Sequence, residues 1–154
     1  MKHNKILFVC AANICRSPMA EYLLRDSLRK DGATGHSVVV RSAGTNDATG
    51  SDASDQALNV MRERGVDMSR HKARHISSEI VDWADLILCM ERGHLDNLQG
   101  LFPDANGKLH LLTEYCSSSG DIIDPSGKST RAFEECAERL DSLIAALLEK
   151  MKAN

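Results

Sequence analysis

Short apolar runs alternate with segments of helical period along the whole chain, and this alternation predicts the architecture. Ile6-Leu7-Phe8-Val9 is an unbroken apolar run behind Lys5, so Lys5–Val9 reads as a first strand buried on both faces. From Met19 onward the spacing turns helical, with Ala20, Leu23, Leu24 and Leu28 on one face. Ser17 is placed to N-cap this helix, with Pro18 at its first position. Val38-Val39-Val40 is a second strand, and Asp52 to Arg64 a helix carrying Leu58 and Met61 inward, stopped by Gly65. A short helix at Ser78–Trp83, a third strand at Asp85–Met90, a helix around Gly93–Leu98 and a fourth strand at Leu109–Leu112 follow. The last helix has the clearest period: Phe133, Cys136, Ala137, Leu140, Ile144, Leu147, Leu148 and Met151 fall on one face.

Such alternation predicts an α/β fold, a parallel sheet with helices on both faces. Ligands in such sheets bind beyond the carboxyl ends of the strands, near a switch in strand order, and Cys10 follows the first strand directly. No repeat, low-complexity tract or linker interrupts the pattern, and residues 1–154 are expected to form one domain. A formal net charge of -3 argues against a nucleic-acid binder. No apolar stretch reaches the ~20 residues of a membrane span, and the N-terminus lacks the pattern of a signal peptide. Five cysteines, an odd number, do not suit a disulfide framework, so a reducing cytoplasm is expected.

The segment Cys10-Ala11-Ala12-Asn13-Ile14-Cys15-Arg16-Ser17-Pro18 carries the chemistry. A loop closing between a strand end and a helix start turns successive backbone N–H groups inward and forms an anion-binding nest. The helix N-terminus adds partial positive charge. A thiol in such a place favours its thiolate, the nucleophilic form. A second segment, Asp121-Ile122-Ile123-Asp124-Pro125-Ser126-Gly127, places Asp124 before a proline, in a turn or extended corner.

Cys10, five intervening residues, Arg16 and Ser17 near the N-terminus, with Asp124-Pro125 near the C-terminus, resemble the low-molecular-weight protein tyrosine phosphatases. Ser42-Ala43-Gly44-Thr45, His71-Lys72-Ala73-Arg74 and Asp85–Met90 extend the resemblance over the chain. The run Met90-Glu91-x-x-His94 and an Asp-Pro loop without tyrosines are most similar to the bacterial enzymes that serve exopolysaccharide tyrosine kinases. The resemblance implies a three-layer α/β/α sandwich on a four-stranded parallel sheet. It implies Cys10 as nucleophile, Arg16 as phosphate clamp and Asp124 as general acid and base. Residues Ala11, Ala12, Asn13, Ile14, Cys15, Arg16 and Ser17 would hold the phosphoryl oxygens. Asn13, Ser17, Ser42 and His71 would form a supporting network, with Asn13 suited to a left-handed backbone and the Ser17 hydroxyl facing the Cys10 sulfur. An acid that donates a proton must hold one, so burial or a nearby dianion is expected to raise the Asp124 pKa. No metal or other cofactor is implied. The implied partner is a phosphotyrosine protein, such as a bacterial tyrosine autokinase; no nucleic acid or membrane insertion is expected, and the chain is expected to be a monomer or weak dimer.

Two departures stand out. Ala12 replaces the family's usual glycine, a strain if that position needs a positive φ. The pocket walls, Asn46-Asp47-Ala48-Thr49 and Ser126-Gly127, lack the usual aromatics and leave Ala11 and Ile14 as apolar candidates. Cys15 reads equally as a redox partner for Cys10 or as a small core residue, while Cys89, Cys116 and Cys136 read as packing residues. Trp83 reads as core. His71 and His75, four apart, lack the intervening glutamate of a zinc motif; a solvated loop with one buried histidine is expected there. Asp121 does not precede proline, and the acid role goes to Asp124. Two other chemistries suit the same fold. An arsenate reductase needs a cysteine relay, and Cys89 stands alone in its region; in phosphoarginine phosphatases the position of Ile14 tends to be threonine. A non-catalytic phosphate binder would need neither Cys10 nor Asp124.

Overall fold

The computed structural model describes residues 3–32 and 37–153. Four parallel strands, β1 (Lys5–Cys10), β2 (Val39–Gly44), β3 (Leu86–Cys89) and β4 (Leu109–Leu111), form one sheet in the order β2-β1-β3-β4. The helices are α1 (Arg16–Asp31), α2 (Asp55–Glu63), α3 (Ser78–Trp83), α4 (Arg92–Leu101), α5 (Leu112–Tyr115) and α6 (Thr130–Ala153), with a 3₁₀ turn at Pro103–Lys108. The strand alternation sorts β1 between two cores. Ile6, Phe8 and Cys10 join the cluster under α1, α2 and α6, while Leu7 and Val9 join the one under α3 and α4. Both faces of the sheet are therefore covered, which is why its strands read as continuous apolar runs.

The chain leaves β1 for β2 on one side and returns across it to β3 on the other, so the strand order switches beside the carboxyl end of β1. Asp85 fixes the opposite end of that strand: its Oδ2 accepts from the amides of Asn4 at 3.1 Å and Lys5 at 3.0 Å. Lys108 ties the α3 corner down by donating its Nζ to the Val81 and Ala84 carbonyls at 2.6 and 2.7 Å.

Several boundaries differ from the sequence reading. The first helix begins at Arg16 with Cys15 as its N-cap, so Ser17 lies inside the helix and Pro18 is its third residue. Ser17 is drawn away from capping because its hydroxyl bonds to the site. The second strand spans Val39–Gly44 rather than Val38–Val40, since pairing with β1 carries Arg41, Ser42, Ala43 and Gly44 into the sheet despite their mixed polarity. The second helix starts at Asp55, where the Ser54 side chain accepts from the Ala57 amide, rather than at Asp52. Trp83 is half-buried, packed at the margin of the second core, with the Arg41 guanidinium 4.6 Å above its ring.

The contact between α1 and α6 closes the first core, and Leu140 is wholly buried in it. Leu140→Ala is expected to destabilise the protein by about 2–5 kcal/mol through lost burial and a residual cavity. Urea unfolding with an unchanged m-value checks this.

Candidate active site

The loop after β1 is held from outside by its own carbonyls. Cys10 O accepts from the Thr45 amide at 3.0 Å, Ala11 O from Asn46 at 2.8 Å, Ile14 O from Ser54 at 3.0 Å and Cys15 O from Met19 at 3.1 Å. His71 Nε2 donates to Asn13 O at 2.7 Å. In a planar trans peptide the N–H points opposite the C=O, so tying these carbonyls outward turns the amides of Ala11, Ala12, Ile14, Cys15 and Arg16 toward the loop's centre. The result is an anion nest at a helix N-terminus. The tight turn rests on Asn13, whose φ is 60°. Ala12 is not among the positive-φ residues, so the strain considered for it does not arise. Gly44 makes the wall possible: a Cβ there would lie 2.5 Å from Ala11 O.

Cys10 is buried at the nest's edge, with Sγ 2.9 Å from Ser17 Oγ. Asn13 Nδ2 donates to the same hydroxyl at 2.8 Å, leaving the Ser17 proton free to point at sulfur. Asn13 Oδ1 accepts from the Arg74 amide at 2.9 Å, so Ser17, Asn13 and His71 form one connected network. Ser42 faces elsewhere: its hydroxyl donates to Glu21 Oε1 at 2.5 Å, and Arg25 pairs with that carboxylate on its other oxygen. The sequence reading missed Glu21. Its only signal was a position one helical turn after Ser17.

Arg16 is 2% exposed, and its surroundings explain how a buried charge is tolerated. Nη1 donates to Glu91 Oε2 at 2.5 Å and to Ile122 O at 2.8 Å, while Nη2 stands 3.6 Å from Asp124 Oδ2. Nη1 spends both protons on protein, which leaves Nε–H and the Nη2 protons as the fork for two phosphoryl oxygens. Glu91 is the second functional residue the sequence reading did not assign. It follows β3 at the topological switch, and nothing local marks it as the partner of a residue in α1.

Ile122 fastens the acidic loop to the nest. Its amide donates to Met90 O at 2.9 Å while its carbonyl holds Arg16, so Asp124, two residues on, is carried to the guanidinium. Asp121 faces outward and accepts from the Arg92 amide at 2.8 Å, a helix-capping contact that separates it from Asp124. The expectation of a raised Asp124 pKa is not met in the free protein. Partial burial pushes the carboxyl up, but the Ser126 amide at 3.0 Å, the Arg16 guanidinium, the Ser126 hydroxyl and Lys128 outweigh it, and the net position lies below the ordinary carboxylate value.

Cys15 is buried beneath the loop, its Sγ 3.3 Å from both Ser54 Oγ and Ser126 Oγ, and burial pushes its thiol up. Cys89 and Cys136 are buried thiols, each pushed up to about 12 by burial. Cys116 is partly buried and donates to Leu143 O. His71 is buried and His75 exposed, so the two do not converge. No group of three or more metal-binding side chains occurs among the described residues. No helix among them is long and apolar enough to cross a membrane. Ala11 and Ile14 are half-buried, while Asn46, whose amide bonds to Ala11 O, and Asp47 are exposed.

A sequence model of the low molecular weight phosphotyrosine protein phosphatases matches residues 5–154. The chain belongs to this family. A protein-arginine-phosphatase of Geobacillus stearothermophilus is 38% identical to it over 149 residues, covering 96% of each chain. A probable low molecular weight protein-tyrosine-phosphatase, EpsP, of Ralstonia nicotianae is 38% identical over 148 residues, again with 96% of each covered. The crystal structure of the low molecular weight protein tyrosine phosphatase from T. tengcongensis superposes with a TM-score of 0.90 at 34% identity, covering 96% of this chain and 99% of that one. The four-stranded parallel α/β sandwich is thus the phosphatase family's fold.

Gly44→Ala tests the wall. The atoms it would meet are backbone atoms of Ala11, Ala12 and Asn13, which cannot swing aside. The expected result is a lower Tm and a kcat reduced at least about tenfold, because small misplacements of an oriented site are costly. Thermal melts and phosphatase assays of the variant measure both.

Proposed function

We propose that residues 1–154 form one phosphatase domain that hydrolyses phosphotyrosine in proteins through a cysteinyl-phosphate. The observation that carries this reading is the juxtaposition in one nest of the Cys10 sulfur, the free edge of Arg16 and the Asp124 carboxylate. The Cys10 thiolate attacks phosphorus in line, forming S–P as the P–O bond to tyrosine breaks. The inward amides and Arg16 hold the three non-bridging oxygens throughout. Asp124 gives its proton to the departing phenolate oxygen. As carboxylate it then takes a proton from water, which attacks phosphorus and releases inorganic phosphate and the thiolate. Ser17 donates to sulfur and steadies it both before attack and on departure.

The depressed Asp124 carboxyl fits this cycle. Arg16 and the Ser126 amide hold it as carboxylate in the free protein. A bound phosphoryl dianion engages Arg16 and places negative charge beside the carboxyl, which raises its proton affinity when the proton is needed. The same pairing has a stability sign: a depressed carboxylate contributes above its unfolded value of about 4 and loses that contribution as pH falls through the folded value.

Ile14 favours an aryl substrate. Its branched apolar side chain packs against the first core at the mouth, where a phenyl ring loses little and a guanidinium would leave N–H groups without partners. The similarity to an arginine phosphatase makes phosphoarginine the second reading. A bacterial autokinase with phosphotyrosines is the proposed protein substrate, on the resemblance of the Met90-Glu91-x-x-His94 run and the Asp-Pro loop. Cys15 is proposed to protect Cys10: after peroxide converts Cys10 to the sulfenic acid, the Cys15 thiol would displace water and form a disulfide that thiols reduce.

Cys10→Ser is expected to abolish turnover of a phosphotyrosine peptide, and quenched wild-type enzyme to carry the phosphoryl group on Cys10 by mass spectrometry. Asp124→Asn is expected to slow alkyl and unactivated aryl phosphates far more than p-nitrophenyl phosphate, and to flatten the alkaline limb of the pH–rate profile. An adduct on another residue, or an unchanged limb, would reject the assignments. Parallel assays on phosphoarginine decide the substrate, and a higher kcat/KM for it than for phosphotyrosine would favour the second reading.

A further inference from the structure

We infer that His94 is a positioning residue for catalysis, which in its neutral form fixes Glu91 and through it the orientation of the Arg16 clamp. The inference rests on the phosphatase reading and adds a residue to it. Arg16 has one carboxylate in hydrogen-bond contact, Glu91, and Glu91 sits at the N-cap of α4, where the chain leaves the switch point. The carbonyl of an N-cap residue enters the helix ladder, as Glu91 O does with the Leu95 amide at 3.2 Å, but its amide has no partner within the helix and here a side chain supplies one. His94 does this. Its Nδ1 accepts from the Glu91 amide at 3.1 Å, while its own amide donates to Glu91 O at 3.1 Å, so residue 94 grips residue 91 at both backbone polar groups.

That grip specifies a tautomer. An Nδ1 that accepts from an amide carries no proton, so the neutral ring holds its proton on Nε2. Nε2 lies 3.7 Å from Glu91 Oε2, the same oxygen that receives Arg16. The ring and the guanidinium thus both lie near one carboxylate oxygen, Arg16 in hydrogen-bond contact and Nε2 just beyond it. The His94 amide also donates to the Glu91 side chain, closing a capping box, so residue 94 holds Glu91 at its amide, its carbonyl and its carboxylate, and the guanidinium is held in turn.

A second proton would have to enter at Nδ1. It would break the bond from the Glu91 amide and leave that half-buried N-cap without its side-chain acceptor. The charged groups that act on the ring are Arg16 from α1, Glu91 from its own turn, and Asp121 and Asp124 from the acidic loop. Burial pushes His94 down first and Arg16 pushes the same way, against the three carboxylates, so the ring is neutral at pH 7. Because the unfolded chain binds this proton more readily, folding loses stability as pH falls through and below about 6.5, the ordinary histidine value, and recovers it above. The clamp therefore loosens on acidification without any change in Arg16 itself.

The test uses wild type, His94→Ala and His94→Gln, with p-nitrophenyl phosphate as substrate and inorganic phosphate as competitive inhibitor, across about pH 5 to 8. Glutamine offers an acceptor at the same helix position and does not titrate in this range. Loss of the acceptor is expected to lower kcat about tenfold and weaken phosphate inhibition several-fold at pH 7. His94→Gln is expected to restore most of both and to keep on the acid side only the step that the second ionisation of inorganic phosphate itself produces, so its loss of phosphate inhibition there is smaller than the wild type's. Wild-type kcat and phosphate inhibition in His94→Ala, or an acid-side step in His94→Gln as large as the wild type's, would overturn the inference while leaving the phosphatase reading intact. If His94→Ala does not fold, the glutamine variant and its pH profile decide alone. A wild-type protein that neither turns over the substrate nor binds phosphate would overturn both together.

Discussion

A guanidinium buried from solvent has to be satisfied, and the placement of Arg16 organises the carboxyl edge of this sheet. Left unpaired, such a charge costs several kcal/mol. The structure satisfies it with Glu91 from the end of β3 and with the Ile122 carbonyl, and it leaves one edge of the fork unspent. Each partner comes from a different part of the chain. The requirement to satisfy one cation therefore brings together the nest after β1, the start of α4 and the loop that carries Asp124.

The nest follows the same logic with backbone groups. Five carbonyls of the loop find donors in β2's continuation, α2's approach, the histidine-bearing segment and the first turn of α1. Each such bond fixes a peptide plane, and the planes fix the inward direction of the amides. The stabilisation that an anion receives there is prepared during folding, so no reorganisation is needed when charge develops on the phosphoryl oxygens. Gly44 belongs to this arrangement because its missing side chain lets β2 approach the Ala11 carbonyl.

The carboxyl of Asp124 lies low because the Ser126 amide bonds it and the Arg16 guanidinium stands beside it. The Arg16 cation, the proposed phosphate clamp, is partly neutralised by Asp124 in the free protein. In the proposed cycle an arriving dianion displaces that interaction and reverses its effect on the carboxyl, so that sharing one guanidinium between an acid and a substrate would couple binding to the protonation that the next step needs.

Local pattern alone was enough for the elements with strong periods and for the loop chemistry. The apolar run Ile6–Val9, the stripe from Phe133 to Met151, and the spacing of Cys10, Arg16 and Ser17 each lie within one short stretch, where sequence distance and spatial distance coincide. Asn13's left-handed backbone was legible for the same reason. Tertiary structure decided the rest. Ser17 is a good cap by propensity, yet the Cys10 sulfur and Asn13 claim its hydroxyl and the cap falls to Cys15. Ser42 turned to Glu21 instead of the loop, and polar Arg41–Ser42 entered a strand because β1 was there to pair with it. Glu91 and Ile122 meet Arg16 across 75 and 106 residues of chain, and that meeting brings to Asp124 a guanidinium that adds to the local pull of the Ser126 amide on its carboxyl. Local rules read propensity and period from neighbours in the chain; charge pairing, burial and competition for hydrogen bonds depend on neighbours that only folding supplies.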